Sequence, residues 1–307
     1  MAQGIRTVMV LGATGNLGPH ILNALSTAGF HVKALSRSQP RASSTVLANV
    51  DVLRSDYSFA SLADVFKGQD AVVSTISTLS VQQQLAIIDA ATTAGVKRFL
   101  PSEFGSDTSV DDEENTAAFI RDKQEVVRYL RRKEAGGLSW TALCPGPWVD
   151  WMLEEGNGLL GIDVRSRTAT IIDSGEQEFT ASTIELVARA TASVLLHPDE
   201  TKNRYIQVHS FTLTQNLLLG ALERAIGAEF SRKQLTREEL LALAKKDHDG
   251  GGEEAGHYHL VTATVYSGSR LTWFPDRAID GNKILELTEE EDLDDTVERV
   301  LTKIQTS

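Results

Sequence analysis

The chain has 307 residues, with 42 Asp and Glu against 30 Lys and Arg, a formal net charge of −12. That balance argues against a general nucleic-acid or membrane-surface role, because both targets are themselves anionic. The length suits one large domain or two interleaved ones, and the hydrophobic (41%) and charged (23%) fractions are those of an ordinary globular protein. Cys144 is the only cysteine, so no intramolecular disulfide can form. That fits a reducing compartment, and a cytoplasmic location is the expectation. Gly4 and Arg6 interrupt the N-terminal apolar run, so no signal peptide is expected, and no stretch is long and apolar enough to span a bilayer.

Thr7 to Gly18 reads TVMVLGATGNLG. Val8 to Leu11 is a continuous apolar run, the pattern of a buried parallel strand. Gly12, Gly15 and Gly18 follow, then the helical apolar spacing of Ile21, Leu22 and Leu25. Strand, glycine turn and helix together point to a dinucleotide site at Gly12, Thr14, Gly15, Asn16, Leu17 and Gly18. Gly12 would make the turn, Gly15 would admit a pyrophosphate, and Gly18 would let the helix pack on the strand. The spacing is G-x-x-G-x-x-G rather than G-x-G-x-x-G. Pro19 suits a first helical turn, where N–H groups and the helix dipole favour an anion.

A second strand is expected at His31 to Ser36. At its end, where an NAD enzyme places Asp or Glu, stand Ser36-Arg37-Ser38, with Arg41 just beyond. Arg37 suits a 2′-phosphate, which makes NADP(H) the expected cofactor. Asn49 to Leu53 reads as a third strand, with Asp56 as a capping or turn residue before a helix. Ala71 to Ile76 is a fourth, placing Thr75, Ile76 and Ser77 where ligands sit in an open α/β sheet. A helix and a fifth strand lead into LPSEFG, Leu100 to Gly105. The acidic segment behind it (Asp107, Asp111 to Glu114) reads as a solvated loop and helix start. A helix over Thr116 to Lys133 and a strand at Trp140 to Cys144 complete a doubly wound parallel sheet.

Beyond Asp150 the pattern becomes α+β. Strands are expected at Thr168 to Asp173 and Tyr205 to His209. Helices are expected at Ser182 to Leu196, Thr214 to Ile226, Arg237 to Lys245 and Asp292 to Ile304. Asp247 to Gly256, DHDGGGEEAG, reads as a mobile loop. His248, His257 and His259, in or beside it, read as solvated rather than as metal ligands, so no metal is expected.

Tyr129 and Lys133 match the Y-x-x-x-K pair of the common short-chain dehydrogenases, but Lys133 stands almost at the end of its helix. They read better as surface residues of the last turns. Lys123 lies ten residues earlier, with Phe119 four residues before it where a tyrosine would stand. A phenylalanine donates no proton, so any acid–base work would fall to Lys123.

Taken together, GATGNLG, Arg37, LPSEFG, Lys123 and NRYIQVHSFTLTQN resemble the isoflavone-reductase-like branch of the atypical short-chain dehydrogenases. That branch includes phenylcoumaran benzylic ether reductases, pinoresinol–lariciresinol reductases and NmrA-like proteins. The resemblance covers most of the chain; LPSEFG is its most specific part. It implies a Rossmann-type sheet binding NADPH in residues 1–150 and a smaller α+β substrate domain in 151–307, with 180–210 a candidate to return to the sheet. It implies Lys123 as the acid–base group and Ser102, Glu103 and Phe104 along the substrate site, where Trp148, Trp151 and Met152 would add apolar cover. Val127 stands where the plant enzymes carry a second basic residue, and PGPW after the sixth strand also departs from them, so substrate identity does not carry over. The expected function is an NADPH-dependent reductase of a small aromatic or enone-like metabolite. A non-catalytic NADP sensor and an isomerase or dehydratase on the same fold are the alternatives. The expected partner is a small molecule, with neither nucleic acid nor membrane, and a homodimer stays open.

Overall fold

The computed structural model describes residues 4–37, 50–112, 117–156 and 158–306. Expectations touching Ser38, Arg41, Asn49, Glu113, Glu114 and Thr116 lie outside the described residues. The strands are β1 (Thr7–Leu11), β2 (His31–Ser36), β3 (Asp51–Arg54), β4 (Ala71–Ser74), β5 (Arg98–Leu100), β6 (Ser139–Cys144), β7 (Ile162–Asp163), β8 (Thr168–Ile172), β9 (Phe179–Ala181), β10 (Arg204–Gln207), β11 (Phe211–Leu213) and β12 (Ser231–Leu235). The helices are α1 (Gly18–Thr27), α2 (Phe59–Val65), α3 (Gln84–Thr93), α4 (Ala118–Lys133), α5 (Val149–Glu155), α6 (Ile184–Leu196), α7 (Gln215–Ile226), α8 (Arg237–Asp249), α9 (Glu253–Val265), α10 (Pro275–Ile284) and α11 (Leu293–Thr306).

The main sheet has seven strands in the order β10-β6-β5-β4-β1-β2-β3, all paired in parallel. Residues of β1 alternate between its two faces, as the pleat requires. Val8 and Val10 pack with Ile21, Leu22 and Leu25 of α1 and with Val187, Ala190 and Val194 of α6. Met9 and Leu11 pack with Ile87 and Ile88 of α3 and with Val126 and Leu130 of α4 on the other face. Both faces are covered, which is why the run is apolar without alternation. The strand order reverses between β1 and β4, so the loops after these two strands diverge and open a crevice there.

A second core lies beyond β6, where Val149 and Leu153 of α5, Leu218, Leu219 and Leu222 of α7 and Val297 and Val300 of α11 come together. Here β8 pairs antiparallel with β7 and parallel with β12, while β9 and β11 form a separate antiparallel pair. Side-chain caps set the helix starts: the Thr183, Thr214 and Thr236 hydroxyls accept amides of α6, α7 and α8, the last in a reciprocal box with Glu239. Between these elements the chain returns to the large sheet through α6 and β10, which pairs with β6.

Two readings of the sequence are corrected. Asp247 to Gly256 is not a loop throughout. Helix α8 runs to Asp249, α9 starts at Glu253, and the His259 ring nitrogen Nδ1 meets Asp247 Oδ2 at 2.9 Å across the turn. Helix α9 escaped notice because its last turns, Val261 to Val265, are rich in β-branched residues that disfavour helix. Burial of Thr262, Ala263, Thr264 and Val265 overrides that preference. The acidic segment is not wholly solvated either. Asp107 is fully buried and accepts from Gln207 Nε2 (2.9 Å) and Arg277 (3.3 Å), and its own amide donates to the Leu271 carbonyl. Helices α5 and α10 and strand β12 were also unforeseen, and β12, SRKQL, is an exposed strand with no apolar alternation to betray it.

Candidate active site

A cleft of about 330 Å³ opens at the carboxyl ends of β1, β2 and β4, lined by Gly12, Thr14, Gly15, Arg37, Thr75, Ile76 and Ser77 among others. The chain reverses at Gly12 with φ +75°, and a Cβ there would lie 2.5 Å from the Thr75 carbonyl oxygen. The closeness is built in, because the Thr75 amide and hydroxyl both donate to the Leu11 carbonyl, at 2.9 and 2.7 Å. At Gly18 a Cβ would stand 2.4 Å from the Gly12 oxygen, so α1 packs hard against the turn. The first turn of α1 carries Pro19, no acidic residue and no side-chain cap, which leaves its amides to an anion. Asn16, Leu17 and Gly18 are not on the cleft wall: Asn16 is exposed, Leu17 is in the core, and Gly18 is buried under the turn.

Arg37 is exposed at the end of β2, its guanidinium 5.9 Å from the centre of the Tyr57 ring. Tyr57, which the sequence reading passed over, lines the cleft with φ +63°. The one signal for it is position, just past the carboxyl end of β3. Asp56 beside it accepts the Ser58 amide (2.9 Å), a local turn contact. The cleft wall carries no carboxylate among the described residues.

Beyond β5 the Leu100 to Gly105 segment turns back toward the cleft. The Ser102 amide donates to Gln84 Oε1 (2.8 Å) and its hydroxyl to the Ile76 carbonyl (2.7 Å), joining this segment to a cleft residue. Phe104 has φ +32°, a conformation uncommon for a side chain of its size, and it is held by Trp148 Nε1 donating to its carbonyl at 3.0 Å. Helix α4 turns Ile120, Lys123, Val126, Val127 and Leu130 inward. Lys123 thus stands on an apolar stripe, 7% exposed, its Nζ donating to the Glu103 carbonyl at 2.5 Å. Burial lowers its proton affinity, and the Glu103 carboxyl opposes that fall. Val127, where the plant enzymes carry a second basic group, is core.

The Glu103 side chain is only 1% exposed; Oε2 accepts from Thr108 (2.6 Å) and burial pushes the carboxyl up. Phe104 belongs to the main core, and Met152 packs against the second core. Trp148 and Trp151 are half-buried, their ring centres 5.7 Å apart with the planes at 65°. None of these residues, nor Lys123, forms part of the cleft wall itself. His257, expected in solvent, instead sits on α9 with its ring edge-on to Phe119, centres 5.4 Å apart. Burial first, and then the charge of Lys123, disfavour its protonation. Tyr129 and Lys133 both bond Asp89, at 2.7 and 2.6 Å, in the seam between α3 and α4. Among the described residues no group of three or more His, Cys, Asp or Glu is placed to hold a metal, and no helix is long and apolar enough to cross a membrane.

A parallel sheet with a glycine turn at its switch point, an arginine after β2 and a buried lysine beyond β5 defines a class, the Rossmann-type dinucleotide oxidoreductases. The NmrA-like family model matches residues 5–148. Oxidoreductase aprR of Aspergillus flavus is 38% identical over 241 residues, covering 77% of this chain and 80% of that one. Isoflavone reductase homolog IRL of Zea mays is 31% identical, covering 78% and 81%. The binary complex of leucoanthocyanidin reductase and NADPH from Vitis vinifera superposes with a TM-score of 0.79 at 21% identity, covering 96% of this chain and 99% of that one. The chain belongs to the NmrA-like family, in its isoflavone-reductase-like branch, and is an oxidoreductase.

Proposed function

We propose that this protein is an NADPH-dependent reductase of a small aromatic or enone-like metabolite of secondary metabolism, with Lys123 as its acid–base group. The observation that carries the reading is the placement of Lys123. It is a cation on the apolar stripe of a helix, held against a segment that bonds the cleft wall. A lysine with no task belongs on the solvated face. The cofactor is NADP(H), and the residues present fit it. The turn at Gly12 and the uncapped start of α1 suit a pyrophosphate, and Arg37, with no carboxylate on the wall beside it, suits a 2′-phosphate. The relatives are named an oxidoreductase, an isoflavone reductase homologue and a leucoanthocyanidin reductase, which supports reduction of an aromatic substrate.

Bound NADPH supplies the hydride. The protein's part is position and charge. Lys123, as an ammonium, stabilises and protonates the oxygen on which negative charge develops, and Phe119 one turn earlier has no hydroxyl to share the task. Trp148, anchored through its indole N–H to Phe104, covers that side with an apolar face and excludes water.

The test is Lys123→Met, assayed by loss of NADPH absorbance over a panel of aromatic enones. NADPH affinity stays within a few fold, while turnover falls roughly a hundredfold or more, the usual worth of a positioned acid–base group. Lys133→Met behaves as the native protein. Full activity in Lys123→Met refutes the assignment. Product without NADPH loss makes the protein an isomerase or dehydratase, and NADPH binding with no turnover on any substrate makes it a sensor.

A further inference from the structure

A buried amine tends to lose its proton, by several pH units where burial is complete. A lysine that must act as an acid therefore needs a compensating negative charge nearby, because a main-chain carbonyl offers only a dipole. The charged and titratable groups around Lys123 come from three elements. Glu103 belongs to the segment after β5, Cys144 is at the end of β6, and His257 is on α9. The Cys144 thiol is pushed well up by burial first, then by Asp107 and Glu103, so it stays uncharged. His257 is kept neutral by burial and by the lysine itself. Around Glu103 stand Lys123, Asp107 and, from β10, Tyr205. Tyr205 remains a phenol, raised by its burial, and Asp107 is committed to Gln207 and Arg277. Glu103 is the carboxyl left to balance the amine: burial pushes it up, and the charge of Lys123 and the Thr108 bond oppose that rise.

Its geometry suits that task. The carboxyl is buried, and Oε2 takes a 2.6 Å bond from the Thr108 hydroxyl, which favours the ionised form and fixes its orientation. Oε1 is buried and has no hydrogen-bond partner. A carboxyl oxygen left unpaired beside a buried ammonium is costly unless their charges offset one another. The same residue also holds the lysine mechanically, through its main-chain oxygen.

We propose that Glu103 is the positioning residue of Lys123: its carboxylate, buried behind the loop whose carbonyl grips the amine, holds that amine as an ammonium before substrate arrives. The inference deepens the reading of Lys123 as the acid–base group and rests on it for its catalytic meaning.

The test needs no substrate. The full chain is acetylated with trace acetic anhydride across a pH series, and the peptide bearing Lys123 is quantified by mass spectrometry. Lys67, whose side chain is 72% exposed, serves as the internal reference. Glu103→Gln, which keeps the shape and the acceptor for Thr108, lowers the pH at which Lys123 becomes reactive by about one unit or more, the size expected for a removed opposite charge at short range. Glu103→Asp keeps the charge and retains most of the native value. Thr108→Val leaves every charge in place, weakens the carboxylate form and shifts Lys123 the same way by less; it decides the question if the Gln variant does not fold. An unmoved Lys123 in Glu103→Gln, or an equal shift in the Asp and Gln variants, overturns the inference. The two readings fail separately. Turnover surviving in Lys123→Met removes the lysine's catalytic role whatever the labelling shows. An inactive Lys123→Met with unmoved labelling removes Glu103 alone.

Discussion

Gly18→Ala tests whether the turn after β1 is built on close backbone approach. The added methyl would stand 2.4 Å from the Gly12 carbonyl oxygen and 2.5 Å from the Ala13 carbonyl carbon. Both are main-chain atoms of the cleft wall and cannot swing aside as a side-chain tip would. Overpacking of this kind costs about 1–3 kcal/mol. The opposing effect is helix propensity, where alanine exceeds glycine by up to about 1 kcal/mol. Gly18 is the first residue of α1, so only part of that gain applies. The clash wins, leaving the variant less stable by about 1–2 kcal/mol. Tm falls by a few degrees, and NADPH affinity falls about tenfold as the turn is pushed outward. Gly15→Ala separates the two effects. Its Cβ would meet only the Gly12 oxygen, at 3.3 Å, and Gly15 lines the cleft. Its Tm stays near native while NADPH affinity drops at least as far. Circular dichroism melts and calorimetric NADPH titrations read both quantities. Native Tm together with native affinity in Gly18→Ala would falsify the packing argument.

Two further outcomes are expected. NADPH should bind at least about tenfold more tightly than NADH, about 1.4 kcal/mol from one charge-assisted contact, and Arg37→Ala should erase most of the difference; equal affinities in the native protein sink the assignment. Burial pushes Asp150 up to about 6 although it accepts the Trp151 and Ile184 amides. A carboxyl harder to ionise when folded contributes stability that is complete below its unfolded value near 3.8 and is lost as pH rises through 6. Asp150→Asn should therefore gain on the native protein in urea melts between pH 4.5 and 7.5, by an amount on the order of 1–2 kcal/mol, and parallel pH profiles would contradict the sign.

Much of the sheet could be read because β1 and β4 are buried on both faces and appear as mainly apolar runs, and β5 and β6 are buried too although they carry Arg98, Ser139 and Thr141. The glycine turn could be read because two of its three glycines are sterically obligatory. What escaped depended on distant partners. Asp107 looked like one acid in a solvated run, and only its pairing with Gln207 and Arg277 buries it. Glu103 sits in a motif that drew attention to its whole block, yet sequence carries no sign of which way each side chain turns. His257 was set aside with its glycine-rich neighbours because the helix that lifts it onto Phe119 is held by burial, against the preference of its own residues. Lys123 was found through its place relative to the end of its helix, where the apolar stripe of α4 independently sets it.

The seventh strand of the sheet has a consequence for biosynthesis. Strand β10 pairs with β6 but follows it by about 60 residues, after α5, the short strands and α6. On the ribosome, at roughly 5–20 residues per second, β6 waits several seconds with an unpaired edge while that insert emerges. The nascent nucleotide half is thus an open-edged sheet that lacks both the cover of α6 over α1 and the partner that ends the strand row. Such an edge invites pairing with a neighbouring chain on the same message. The stretch from Val149 to Asn203 is therefore a timer as well as a structure, and lengthening it would be expected to lower soluble yield before it altered the stability of protein already folded.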